Sequence, residues 1–293
     1  TEDGHGKNVA IGRSALLTQN AGADGFNVAV GFEAGAAVTT GIQNTIMGGL
    51  AGDALTTGAE NTAVGYNALS TEDAHGRNVA VGNNALRDLN AGANGLNVAI
   101  GYDAGLLMTT GVNNTIIGGL AGDALTIGNS NVAVGRNALS TSVDGDNNTA
   151  IGFSALEDYE DTDGAGHNTA IGSKSQLNAT TGQFNTSLGS LSIGTGVTTG
   201  DENTALGYGA GIALTSGALN TLVGSLAGDS LTTGDRNVAI GRRALSLEDA
   251  HGYNTALGFA TLANLNAGAD GLNTAVGYAA GNAMTTGTFN VVV

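Results

Sequence analysis

The sequence predicts an all-β parallel β-roll, a β-solenoid of about 16 coils. Three observations predict it. A five-residue phrase recurs along the whole chain, every complete copy ends in glycine, and nothing in the composition would build a helix or a bulky globular core. The phrase is Asn-[Val/Thr]-X-aliphatic-Gly, where X is usually small. It starts at Asn8, Asn27, Asn44, Asn61, Asn78, Asn97, Asn114 and Asn131, and again at Asn148, Asn168, Asn185, Asn203, Asn220, Asn237, Asn254 and Asn273. A further copy begins at Asn290. Most copies stand 17 residues apart and a few stand 18 to 20 apart. A unit this short cannot bury its own apolar residues and must stack on its neighbours. No charge run or polar linker interrupts the series, so residues 1–293 read as one continuous array.

Composition supports this. The chain has 293 residues, of which 50 are Gly and none is Pro, Cys or Trp. Aromatics make up only 4%, so packing falls to Ala, Val, Ile and Leu, yet 41% apolar residues is too many for a disordered chain. Gly without a G-X-Y period excludes collagen. Gly every few residues excludes helix, since each interior Gly costs about 0.5–1 kcal/mol relative to Ala. Without Cys there are no disulfides and no thiolate metal sites. The net charge of -16 argues against nucleic acid and anionic membranes as partners. No run of 18 apolar residues spans a membrane. Residue 1 is Thr with no visible signal peptide, which reads as a removed leader or a piece of a longer chain.

Each element of the coil follows in order. Alternating β-branched, small and aliphatic residues make a three-residue strand. The glycine that follows (Gly12, Gly31, Gly48, Gly65) lets the chain turn. Ala then Leu or Gly (Ala15-Leu16, Ala34-Gly35) reads as a second short straight segment, giving two strands and two corners per coil. A Thr-Thr-Gly-like corner, as at Thr39-Thr40-Gly41, closes nine coils, and a loop Asn-Ala-Gly-Ala-[Asp/Asn]-Gly at 20–25, 90–95 and 266–271 lengthens three to 19 residues. Coils of 19, 17, 17 and 17 residues form a higher repeat, in which 8–77 matches 78–147. Stacking at about 4.8 Å would align the Asn residues into a ladder of side-chain amides.

The strand also predicts an oligomer. Val9 and Ile11 point to one side and Ala10 to the other, and both sides are apolar. Where the middle residue is large (Ile46, Ile116, Leu222), the residue after Gly is small (Gly49, Gly119, Ser225), which reads as compensation on a covered outer face. A thin roll cannot cover its own outer face, so neighbouring subunits should, most simply around a threefold axis.

The phrases NTAVGYNAL (61–69), NVAVGNNAL (78–86) and NTAIG (148–152, 168–172) resemble the repeats of YadA-like head domains in trimeric autotransporter adhesins. They look still more like the repeat arrays of phage tail-fibre proteins. The coils here are longer than those of the autotransporter heads, and the extra residues form corner loops. The resemblance covers nearly the whole chain. It implies a homotrimeric left-handed β-roll, a segment of an extracellular fibre on a virion or cell surface. The partners it implies are copies of the chain, joined as a trimer or end to end, and a cell-surface receptor or glycan.

Candidate sites are few. Glu157, Asp158, Glu160, Asp161 and Asp163 crowd the longest coil, and such carboxylates suit a loosely bound Ca2+, although a solvated insertion loop accounts for them as well. Asp53, Asp123 and Asp229 recur in Leu-Ala-Gly-Asp-[Ala/Ser]-Leu as turn-capping residues or cation ligands. His5, His75 and His251 share one loop position, where symmetry could gather a metal site or where they simply face solvent. No nucleophile, base and orienting group assemble, so no enzyme and no cofactor is expected. An ice-binding Thr array would need every coil, and a self-assembling filament is the nearer alternative to a fibre. The irregular coils at 148–203 are the best candidates for binding loops.

Overall fold

The computed structural model describes residues 6–20, 22, 24–160, 166–194 and 196–293. They fall into two compact units, Thr1–Asp146 and Asn147–Val293. The first carries eight strands, from β1 (Val9–Ile11), β2 (Val28–Val30) and β3 (Thr45–Met47) to β8 (Val132–Val134). The second carries nine, from β9 (Thr149–Ile151), β10 (Thr169–Ile171) and β11 (Thr186–Leu188) to β16 (Thr274–Val276) and β17 (Val291–Val292). Within each unit every strand pairs in parallel with the strand one coil away, in register, so Val28 faces Thr45 and Thr169 faces Thr186. There is no helix among the described residues. The chain is an all-β parallel β-solenoid.

The strands stop at three residues because of the glycine that follows. Gly48 has φ +142°, a region closed to residues with a side chain. A Cβ added there would also run into the carbonyl oxygen of Gly65, one coil on. Backbone conformation and inter-coil spacing therefore both demand glycine.

Among the described residues the expected second strand is absent. After the glycine comes a run of tight turns in which non-glycine residues are left-handed, as at Asn67 (φ 53°) and Leu69 (φ 54°). Such a residue costs on the order of 1 kcal/mol. The stack holds it there: Leu69 N–H donates to Ala85 C=O at 3.0 Å and Thr71 N–H to Arg87 C=O at 3.0 Å, continuing the ladder to the next coil. Ala68 N–H bonds back to Gly65 C=O at 3.4 Å, closing the turn locally.

The inward face also differs from the sequence reading. From β2 to β16 the middle residue of the strand is buried, and the residues on either side of it are half-buried or exposed. The middle column therefore lines the interior, and it is the Val/Thr and aliphatic columns that face out. Compensation for Ile46 accordingly comes from inside. Its Cδ1 lies 2.9 Å from where Gly35 would carry a Cβ and touches that of Gly52, which Leu55 approaches more closely. Ile116 crowds Gly122 in the same way and shares the space at Gly105 with Leu86, and Leu222 crowds both Gly211 and Gly228. Gly49 instead lies against the ring of Tyr66 on the outside. The alternation of Ala-Leu with Ala-Gly thus follows volume: Leu stands where the strands of its own coil and the next both offer Ala, and Gly flanks Ile46, Ile116 and Leu222.

The Asn column is a ladder, and its members are buried from Asn27 to Asn273. In unit 1, Asn8 Oδ1 accepts the N–H of Asn27 at 2.7 Å, Asn27 that of Asn44 at 2.8 Å, and Asn44 that of Asn61 at 2.9 Å. Asn61, Asn78, Asn97 and Asn114 repeat this with Asn78, Asn97, Asn114 and Asn131. From Asn27 to Asn131 the Nδ2 groups also donate to backbone carbonyls, as Asn44 does to Gly58 at 2.8 Å and Asn114 to Gly128 at 2.9 Å. Unit 2 repeats the arrangement from Asn148 to Asn290. One side chain thereby satisfies a backbone donor and a backbone acceptor that would otherwise be buried unpaired.

Candidate functional site

The strand and its flanks build one feature that an isolated coil cannot account for. Counting the phrase's Asn as position 0, positions 1 and 3 are the strand's outward residues, and positions -1 and 5 flank them. Ile100 at position 3 is 39% exposed, Met47 44% and Leu188 46%. Phe26, Leu96 and Phe184 at position -1 are exposed, as are Phe32, Tyr102 and Tyr208 at position 5. All 6 Phe and all but one of the 6 Tyr in the sequence belong to this four-column strip. The exception, Tyr159, is buried in the interior. The exposed aromatic area is thus concentrated on these four columns.

Charge is sorted along the same line. Lys7, Arg13, Arg77, Arg136, Arg236 and Arg242 lie on the strip, with only Glu60 and Glu202 opposing them. The strip therefore carries +4, and the rest of a chain whose total is -16 carries -20. Four of these cations lie over a ring one coil away: Lys7 over Phe26 at 5.3 Å, Arg13 over Phe32 at 5.6 Å, Arg236 over Tyr253 at 5.6 Å and Arg242 over Phe259 at 5.7 Å. Rings also stack between neighbouring coils, Phe259 on Tyr278 at 5.3 Å and His167 on Phe184 at 5.2 Å. These contacts restrict the side chains of the strip.

The other sequence candidates sit elsewhere on the coil. Glu157, Asp158 and Glu160 share one turn, and the Asp158 carboxyl is pushed above the usual carboxylate range by burial and by the charges of Glu157 and Glu160. Asp161 and Asp163 lie outside the described residues. Among the described residues no group of three or more His, Asp or Glu could hold a metal ion. Asp229 accepts a hydrogen bond from the Ser246 hydroxyl at 2.6 Å, one coil on. The Asp53 carboxyl is raised by burial and then by Glu33. His75 and His251 each turn their Nδ1 toward a buried glutamate, Glu72 at 3.4 Å and Glu248 at 2.9 Å, while His5 lies outside the described residues. The corner threonines are engaged along the stack, as Thr39 donates to Thr56 C=O and Thr109 to Thr126 C=O, both at 3.1 Å.

Two features escaped the sequence reading. The strip's flanking columns would have appeared had positions -1 and 5 been tabulated like the others. Glu72 and Glu248 stand in a column that holds Leu, Val or Met in most other coils, and these two acids were visible in the sequence. In comparison with known proteins, the chain matches no family model and no curated protein.

Proposed function

We propose that this chain is a structural shaft or head segment of a homotrimeric, left-handed extracellular fibre used for attachment, of the phage tail-fibre kind, and that it carries no catalytic role. One observation carries the reading. A repeat that keeps its interior supplied with Ala and Leu also places nearly all its aromatic residues on an outward strip, where a monomer would leave them wet. Burying apolar surface is worth about 25 cal/mol per Å2, so a strip repeated coil after coil would hold neighbouring chains together without any single strong contact. Copies of the same chain are the simplest partner of matching length and periodicity, and a threefold axis lets each strip be covered without an open-ended assembly.

The acidic remainder of the surface supports the same reading. Of the -20 carried outside the strip, Glu72 and Glu248 are buried glutamates, and the rest would keep assembled fibres soluble and apart from one another. Receptor or glycan contact then falls to corner loops, with the irregular coils at 148–203 as the candidates. Sedimentation equilibrium tests the proposal. The expected mass is three times 28.6 kDa. A single 28.6 kDa species would overturn it, and an open-ended series of polymers would favour a self-assembling filament instead.

A further inference from the structure

Position 11 of the coil points into the roll and holds residues such as Val38, Leu55, Leu89, Leu125 and Leu231, all buried. In two coils, one in each unit, a glutamate stands there with a fully buried side chain: Glu72 and Glu248. A carboxylate taken out of water is strongly unfavourable unless donors meet it. The donors here come from two places. Glu72 Oε1 accepts the N–H of His75 at 3.1 Å in its own corner, and Oε2 accepts the N–H of Ala91 at 3.4 Å in the next coil. Glu248 repeats both bonds, with His251 N–H at 3.2 Å and Ala267 N–H at 3.2 Å.

Ala91 and Ala267 belong to the six-residue loops that lengthen the next coil to 19 residues. Each loop returns a bond to the glutamate's corner: Asn94 Oδ1 accepts the N–H of Gly76 at 3.2 Å, and Asp270 Oδ1 that of Gly252 at 3.1 Å. The inserted residues break the amide-to-carbonyl correspondence between coils at this corner, and the carboxylate supplies the missing acceptor. The sequence obeys the same rule. The phrase Glu-Asp-[Gly/Ala]-His-Gly occurs at 2–6, 72–76 and 248–252, and a 19-residue coil follows each time.

We propose that Glu72 and Glu248 are positioning residues that latch the six-residue loop of the following coil onto the preceding corner. The latch is a conformational device. It holds a protruding loop in one shape through an interior charge, independently of how chains associate.

Hydrogen exchange on the full-length chain tests it, with Glu72→Leu as the first variant. Leucine is an ordinary occupant of this column, so the interior remains filled. Losing a charge-assisted bond of this kind corresponds to about tenfold or more in opening. The loop at 90–95 is therefore expected to exchange about tenfold faster, while the loop at 266–271, still latched, stays unchanged. Glu248→Leu should reverse the pattern, and Glu72→Gln, which keeps one carbonyl acceptor, should fall between. Unchanged exchange at 90–95 in Glu72→Leu would overturn the proposal. Equal loss of protection in both loops, in the Leu and Gln variants alike, would also overturn it, because the glutamate would then support the whole stack.

Discussion

In the coils beginning at Asn97 and Asn114, Ile116 fills the interior, and Gly105 and Gly122 leave room for it. In the coils beginning at Asn168 and Asn185 the interior is polar. Ser175 Oγ lies 2.5 Å from Ser187 Oγ and 3.0 Å from Ser192 Oγ, and Gln176 Nε2 donates to Ser187 Oγ at 2.9 Å. The frame around these two interiors is the same. Asn114 N–H reaches Asn97 Oδ1 at 2.9 Å, and Asn185 N–H reaches Asn168 Oδ1 at 2.9 Å. Strand pairing keeps the same register in both regions. The difference teaches that the Asn ladder and the glycine column specify how coils stack in every region, and that the interior side chains set how stability varies from one region to another.

The largest effect should come from the frame, and should be equal in the two regions. Asn114→Ala leaves the Asn131 amide and the Gly128 carbonyl unpaired, and Asn185→Ala does the same to Asn203 and Gly200. At about 1–3 kcal/mol per buried unpaired group, each variant is expected to lose about 3–5 kcal/mol in denaturant unfolding. Clearly unequal losses would break the comparison.

Interior substitutions should separate the regions. Ile116→Ala opens a cavity that the neighbouring glycines cannot fill, at a cost of about 3 kcal/mol. Ser187→Ala removes one hydroxyl from a cluster in which Ser175 keeps Ser192, and should cost about 1 kcal/mol in the same unfolding assay. Gln176→Leu sharpens the contrast by reversing the sign. Gln176 Oε1 is buried and accepts no hydrogen bond from the protein, and the coils on either side carry Leu156 and Ile193 at this position. A gain of up to about 1 kcal/mol is expected, read as a raised Tm.

The smallest change lies outside both interiors. Burial raises the Asp53 carboxyl above its ordinary value of 3.8, so the folded chain prefers it protonated and its ionisation weakens folding as pH rises through that raised value. Asp53→Asn should accordingly raise Tm at pH 7 and confer no such advantage below the ordinary carboxylate value. An advantage independent of pH would contradict the assignment.

Much of this was legible in the sequence. The phrase marks every complete strand, and the spacing of the Asn residues gives the coil boundaries. The inward face was not legible, because Val9, Ala10 and Ile11 are apolar on both sides and alternation carries no sign. Three left-handed residues per typical coil, such as Asn67, Leu69 and Arg77, also escaped. Leu has no intrinsic preference for that conformation and adopts it only because the adjacent coil binds its N–H. Glu72 was not singled out, since one of its two partners, Ala91, belongs to a loop 19 residues away. The outward strip was not legible as such: its strand columns were seen but assigned to the inner face, and its aromatic flanks fall outside the phrase.

With no native Cys, thiol labelling can test the outward strip directly. Ile100→Cys places one thiol on the strip, and Thr57→Cys places a reference thiol on an exposed corner. In the isolated chain both positions are exposed to solvent. The account predicts that in the native protein the Ile100→Cys thiol reacts at least about tenfold more slowly than the Thr57→Cys thiol, because neighbouring copies cover the strip. Equal rates at the two positions would mean the strip is bathed in water, and the account would be wrong.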